Sequence, residues 1–487
     1  ATYRAGVFKK GSNLNYTSRL AERIEQILKT GVSYAEAQKA AIQEEDAYRL
    51  GHVEGNLRTG EIILFLDKDS IVPAGISRIM VSEFNDDEKL AYIQCASEPT
   101  NENENYYTRM IGYITNIYYD VAFTNSVLTG SMVPLVGHNA YLRKSSLRGH
   151  GWWSEDRVSE DLSLEMDFYA QGYHGKYADL KDMKFGEAVS NNILDEARQV
   201  TKYAFGAVEI MFNRPGDWLK SGILTKQMKD FLRSKDISIW RKADVLIYKL
   251  QILCISALVV PLIASPFLPV GFYGLLGSLI TFMVSGSLIV VISYLRQGKQ
   301  NSEENGPTVI HLVKRHFKYS LPFGSSVICY SVFGLKGLWS YFMGKKLTIG
   351  SSNSGKELDR NISIFKAIRN MKFVFKGQAT LAGLYAGMLI LSGRITQPYF
   401  GATEMGWSYW LFLSEIAFLG ILNPSIAYGI KNSTVAAYKK LNTKAMLATG
   451  MTILLFAGAA LFGIFTGTAQ AETEVAPSLR ANESVLV

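Results

Sequence analysis

The chain has 487 residues, 48% hydrophobic and 19% charged, with 51 Lys plus Arg against 43 Asp plus Glu. That composition excludes a disordered chain and leaves room for roughly two to four domains. The three cysteines, Cys95, Cys254 and Cys329, lie far apart with no CxxC pair, which excludes a disulfide framework and a zinc site of common spacing.

Charge is divided unevenly. Between residues 245 and 470 there are six acidic residues and twenty Lys or Arg, so the acid lies in the first half and the cations flank apolar segments in the second. Such cations fit loops facing a cytoplasmic membrane surface rather than a nucleic-acid groove, and no nucleic-acid partner is expected. The first residues, from Ala1 onward, show neither a charged n-region nor an apolar h-region, so no signal peptide is expected.

The first chemically informative element is the run EIILFL at 61–66, followed at once by Asp67, Lys68, Asp69 and Ser70. A branched apolar run reads as a buried strand, and ligands in α/β sheets sit beyond the carboxyl ends of strands. Two carboxylates at i and i+2 there suit Mg²⁺ or Mn²⁺ bridging a diphosphate, although turns in general are rich in Asp. Next, Leu135 to Leu147 (LVGHNAYLRKSSL) again reads as strand, with a glycine before polar residues, and Trp152 and Trp153 follow. The stretch after them carries Glu155, Asp156, Glu160 and Asp161, then Leu162, Leu164, Met166 and Phe168, which predict a helix stopped by Gly172. Asp161 at such a start is either a helix cap or a general base for an acceptor hydroxyl. A further helix between Asp195 and Phe212 puts Gln199 and Tyr203 one turn apart, with Lys202 beside them.

From Leu250 to Leu295 no side chain is charged. One crossing needs about 20 residues, so this run predicts a hairpin of two spans, turned by Pro261, Pro266, Pro269 and Gly271. Three more spans are predicted from about Gly377 to Gly393, Trp407 to Ile430 and Ala445 to Thr468. The apolar stretch Tyr319 to Met343 has basic residues on both sides, Lys314, Arg315 and Lys318 before it and Lys345 and Lys346 after it, and Ile362 to Phe375 carries Lys366, Arg369 and Lys372 at helical spacing. The first predicts an in-plane or re-entrant helix at the membrane interface and the second a further interface helix. Five crossings place the acidic tail, with Glu472 and Glu474, outside.

The order LDKDS, GHNAYLRK, VSED, QVTKY and then membrane helices resembles that of the processive family-2 glycosyltransferases, the group of cellulose, hyaluronan and chitin synthases. The phrases KKGSNLNY, GEIILFLDKDS, YITNIYYD and WSEDRVSEDLSLEMDFYAQGY most resemble its β-glucan synthase-like branch of fungi and bacteria. The resemblance implies a GT-A-like α/β catalytic domain with a mixed sheet at 1–243, a transmembrane hairpin at 244–298, a cytosolic loop with interface helices at 299–376, three transmembrane helices at 377–470 and a tail at 471–487. Asp67 and Asp69 would hold the metal, Asp67 also meeting the nucleotide sugar together with Lys10, Asn13, Asn15 and Lys202. Asp161 would be the catalytic base. Gly137, His138, Asn139, Gln199, Tyr203 and Trp152 would meet the acceptor.

Two departures stand out. Lys202 and Tyr203 occupy the Arg and Trp positions of the family's QxxRW, giving up a bidentate guanidinium grip on phosphate and a larger stacking plate. Only 66 residues precede Asp67, and the family's earlier nucleotide-binding Asp has no counterpart. Either a missing N-terminal segment or a partner chain is expected to complete the domain. The activity implied is inverting polymerisation of glucose from UDP-glucose onto a growing polysaccharide, with 1,3-, 1,4- or mixed linkage and export through the protein's own channel in the plasma membrane, the catalytic domain being cytosolic. The alternatives are a non-processive glycosyltransferase with a lipid acceptor, and a non-catalytic membrane scaffold or transporter.

Overall fold

The computed structural model describes residues 9–44, 55–104, 106–180, 182–190, 193–257, 284–296, 308–345 and 347. The chain opens with two helices, α1 (Lys9–Leu28) and α2 (Tyr34–Glu44), which pack through Leu20, Ile24, Ala37 and Ala41. Strand β1 (Ile62–Phe65) follows, ending just before the acids. Then come α3 (Ile76–Asn85), β2 (Leu90–Cys95), β3 (Ser97–Pro99) and α4 (Tyr106–Asn116). A π-helical turn (Ile117–Phe123) joins α4 to α5 (Thr124–Leu128). Next are β4 (Ala140–Arg143), α6 (Lys144–His150), α7 (Glu160–Ala170), β5 (His174–Ala178) and β6 (Phe185–Glu187). The described chain ends in helices: α8 (Ile193–Met211), α9 (Trp218–Ser221), α10 (Lys226–Arg233), α11 (Ile239–Ala257), α12 (284–296) and the long α13 (Val309–Phe342).

Four strands form one sheet in the order β1-β4-β2-β5, and β3 and β6 pair as a separate ribbon. Strand β4 runs antiparallel to both β1 and β2, while β2 and β5 run parallel. This mixed sheet, covered by helices, agrees with a GT-A arrangement. All six residues of β2 are buried, as a central strand covered on both faces requires. Its Tyr92 lies against Gly175 of β5 so closely that a Cβ there would meet the ring at 2.2 Å. In the β1–β4 ladder Phe65 faces Ala140, which sets the acids after β1 and the GHN sequence before β4 at the same end of the two strands.

The second strand-like stretch is only partly a strand. Ladder pairing covers Ala140–Arg143, and Lys144–His150 is helix, closed by Gly151 at φ 95°. The predicted helices are present as α7, followed by Gly172 at φ 82°, and α8.

Tyr319 to Met343 belongs to the 34-residue helix α13, which begins ten residues earlier. Its second half packs on α8 and α11 with Ser331, Phe333 and Tyr341 buried. A Cβ on Gly337 would lie 2.5 Å from the Thr201 carbonyl oxygen, and one on Gly334 2.3 Å from Ser256 Oγ. Two glycines therefore let three helix backbones approach. Phe333, Tyr341 and the two glycines are spent on this packing, and Lys336 is exposed.

No helix among the described residues is long and apolar enough to cross a membrane. The middle of the predicted hairpin, 258–283, lies outside the described residues, as do the predicted interface helix at 362–375 and the three spans of 377–470.

Candidate donor and acceptor site

Four separate segments meet around Lys10, near the start of α1. Its Nζ lies 3.8 Å from Asp67 Oδ1, 3.2 Å from Glu160 Oε1 and 3.3 Å from the Gly137 carbonyl oxygen. The ammonium also sits 4.8 Å above the Phe65 ring, whose other neighbour is Trp153 at 5.8 Å between centroids. Burial disfavours the charged lysine, but the carboxylates of Glu160, Asp67 and Asp161 outweigh it and raise its pKa above the ordinary value. Lys10 is therefore a permanent cation holding the DKD turn, the GHN loop and the start of α7 together.

Glu160 and Asp161 occupy the first turn of α7, where the unpaired N–H groups and the helix dipole favour negative charge. Asp161 Oδ1 accepts the Leu162 N–H at 2.8 Å, so one oxygen is tied to the first turn. The other points at the GHN loop: a Cβ built on Gly137 would lie 2.3 Å from Asp161 Oδ2. Gly137 has φ 78°. Both the backbone conformation and the missing side chain are thus required for the loop to lie on Asp161. Glu160 is buried; desolvation and the Asp161 charge raise its pKa against the pull of Lys10 and Lys202.

The GHN loop is braced from below by Gln94 of β2, a residue that nothing in the sequence pattern singles out. Its Nε2 donates to the His138 carbonyl at 3.0 Å, and its Oε1 accepts the Val136 N–H at 3.0 Å. His138 bridges the Val136 carbonyl (3.2 Å from Nδ1) and Glu187 Oε2 (2.6 Å from Nε2). With an acceptor at each nitrogen the ring donates from both as imidazolium. Burial opposes that charge, yet the hydrogen bond and charge of Glu187, with Asp67 nearby, raise the His138 pKa. Asn139 has φ 52°, is fully buried and donates to Ser97 Oγ at 2.9 Å. Its Oδ1 has no hydrogen-bond partner among the described residues.

On α8, Tyr203 donates to Gln199 Oε1 at 2.7 Å, and Gln199 donates to Ser190 Oγ at 3.1 Å, so the expected one-turn pairing is present. Tyr203 is 43% exposed. Lys202 lies within electrostatic reach of Glu160, and Tyr203 within reach of Glu187 and Asp161.

Asn15, Asn13 and Trp152 have other surroundings. The Asn15 amide is spent on the chain around Trp153: it accepts the Trp153 N–H at 3.0 Å and donates to its carbonyl at 2.8 Å and to Glu155 at 2.9 Å. It clamps α1 to the loop before α7. Asn13 is exposed on the outer side of α1. Trp152, at φ 72°, packs half-buried against the main core. Asp69 is half-buried two residues beyond Asp67.

Among the described residues no three His, Cys, Asp or Glu side chains form a metal-binding group. Asp67 and Asp69 carry carboxylate oxygens of the kind Mg²⁺ takes, one or two at a time, when a substrate's phosphates complete its shell. The 51% exposed side chain of Asp67 is open to such a shared ion.

The strand-to-acid turn, the glycine loop seated on an acidic helix start and the mixed sheet all lie between Ile62 and Ala178. Residues 62–296 match the family described as "Glycosyl transferase family group 2". The chain is also similar to the poly-beta-1,6-N-acetyl-D-glucosamine synthase of Staphylococcus aureus (strain COL), 25% identical over 124 residues, covering 25% of this chain and 29% of the relative. It is similar to the beta-monoglucosyldiacylglycerol synthase of Trichormus variabilis, 28% identical over 109 residues, covering 22% of this chain and 23% of the relative. The matched stretches thus span under a third of these curated relatives. By their names, one makes a polysaccharide and the other a glycolipid.

Proposed function

We propose that the chain is an inverting β-glycosyltransferase that polymerises glucose from UDP-glucose into a β-glucan at the cytosolic face of the plasma membrane and exports the polymer through its own membrane helices. The observation that carries the catalytic part is the approach of Asp67, Lys10, Glu160, Gly137 and Asp161 from four distant segments to one place. The reading of the product as glucan rests on the resemblance of the motif phrases, and the reading of export on the apolar runs after residue 250.

In this reading Asp161 accepts the proton of the acceptor hydroxyl, since its Oδ2 is the carboxylate oxygen turned away from the helix and toward the loop that would hold the acceptor. Asp67 and Asp69 would hold Mg²⁺ or Mn²⁺, which when bound stabilises negative charge on the departing diphosphate. Lys202 adds positive charge on the α8 side, and Lys10 keeps Asp67 and the loop in register. The hydroxyl of Tyr203 and the amide of Gln199, fixed to each other, offer the acceptor one aromatic face and one polar edge. His138 holds the loop through Glu187.

A lipid acceptor is the second reading, favoured by the similarity to the glucosyldiacylglycerol synthase. The experiment that tests the proposal incubates the purified full chain in detergent with a panel of UDP-sugars, each with and without Mg²⁺ or Mn²⁺, followed by product sizing and linkage analysis. A glucan of many residues made from UDP-glucose is the expected result. A single-sugar glycolipid would replace the polymerase reading with the second one, and no product from any donor would refute both.

A further inference from the structure

Away from this cluster, α4 and the first half of α13 line an open cleft of about 440 Å³. Helix α4 supplies Arg109 and Tyr113 to its wall, and α13 supplies His311, Lys314, Arg315 and Lys318. The four α13 positions follow i, i+3, i+4, i+7, so they form one continuous face of the helix. Glu102 is the single carboxylate among the lining residues.

Such a face is unfavourable in isolation. Cations one turn apart repel by a few tenths of a kcal/mol each, and gathering them with Arg109 around a concave surface concentrates the positive potential. The site is also held in shape. Tyr113 is buried, its hydroxyl lies 3.1 Å from His316 Nδ1, and its ring centre is 5.3 Å from that of Tyr319. The Arg315 guanidinium sits 5.3 Å above the Tyr113 ring, and Arg109 is oriented by a 3.1 Å bond to Asn103. A guanidinium over an aromatic ring keeps its N–H donors for planar acceptors, and phosphate oxygens are the acceptors it grips best.

We infer that this cleft binds the phosphate of an anionic phosphodiester, supplied by a phospholipid headgroup. Its volume is ample for more than a bare inorganic ion; ligand pockets span roughly 300–1,000 Å³. The position within the chain selects the lipid. The basic residues stand on one face of α13 and end at Lys318, where the apolar stretch from Tyr319 begins, and Lys/Arg clusters on an amphipathic helix attract anionic headgroups by about 1 kcal/mol per residue. Phe317 and Trp339 are exposed large apolar side chains on the same helix. The inference is independent of the donor chemistry, because none of the residues used in the proposed reaction lines the cleft.

The test uses the full chain in a neutral detergent, with dioctanoyl phosphatidylglycerol, dioctanoyl phosphatidylcholine and glycerol 3-phosphate as separate probes and native mass spectrometry as the readout of binding. Phosphatidylglycerol should bind at least tenfold more tightly than phosphatidylcholine. That preference should vanish in Lys314→Ala/Arg315→Ala and persist in the charge-preserving Lys314→Arg. Glycerol 3-phosphate binding as tightly as the lipid, with the same loss in the alanine variant, would keep the phosphate site and move its ligand to a soluble source. Equal binding of the two lipids, or an alanine variant as selective as the wild type, would overturn the inference.

Discussion

Replacing Gly137 by alanine tests the site through a single methyl group. Two effects follow from the structure. At φ 78° an L-residue pays about 1–2 kcal/mol for the left-handed conformation. In addition, the new Cβ would stand 2.3 Å from Asp161 Oδ2, where ordinary van der Waals contact starts at 3.4 Å, so loop or carboxylate must yield by about 1 Å. A displacement of that size at a reacting group costs on the order of 10²-fold in rate. Gly130, with φ 73° and no atom within 4 Å of a built Cβ, separates the two: Gly130→Ala should show the conformational cost alone. Both variants should unfold at slightly lower denaturant concentration, while UDP release from UDP-glucose should fall about 10²-fold in Gly137→Ala and stay near wild type in Gly130→Ala. Turnover of Gly137→Ala within twofold of the control would refute the placement of Asp161 against the GHN loop.

Three further outcomes follow. Asn15→Ala removes the clamp on the Trp153 main chain and leaves buried groups unpaired, so it should cost about 1–3 kcal/mol in chemical denaturation without changing the KM for the donor; a raised KM at unchanged stability would return Asn15 to the nucleotide. Gln94→Leu strips the Val136 N–H and the His138 carbonyl of their partner, and it should lower kcat through the loop as well as stability by a similar amount; a drop in stability alone would show that the loop does not need this brace. For His138, whose folded pKa lies above the ordinary 6.5, the contribution of the Glu187 pair is complete below about 6.5 and is lost as pH rises through the folded value. The stability advantage of wild type over His138→Gln should therefore shrink from pH 6 upward in thermal unfolding, and an advantage that grew with pH would contradict the assigned charge.

The parts of the site legible in the sequence are those with a local signal. EIILFL before Asp67 carries the apolar pattern of a strand, and Glu160 to Phe168 and Asp195 to Phe212 carry helical pattern and stop signals, so β1, α7 and α8 could be anticipated with their acids and amides in place. The Gly137 loop was recognisable by resemblance, but its reason, the Asp161 carboxylate beneath it, is a contact between segments far apart in the chain. For the same reason the Lys10–Glu160 and His138–Glu187 pairs had no signature: an ion pair across the fold leaves no spacing to read. Asn15 looked like a ligand residue because it shares a stretch with Lys10, yet on a helix the two side chains diverge and its amide meets Trp153. Hydropathy registers how apolar 319–343 is, but not that Gly334 and Gly337 bring it against α8 and α11.

The central claim is most directly tested by comparing nucleoside diphosphate release from UDP-glucose by the purified full chain and its Asp161→Asn variant, with donor binding measured on both. The proposal predicts that the wild type turns over while the variant binds donor with similar affinity and releases UDP at least 10²-fold more slowly. A variant as fast as the wild type would contradict the assignment of Asp161 as the group that activates the acceptor.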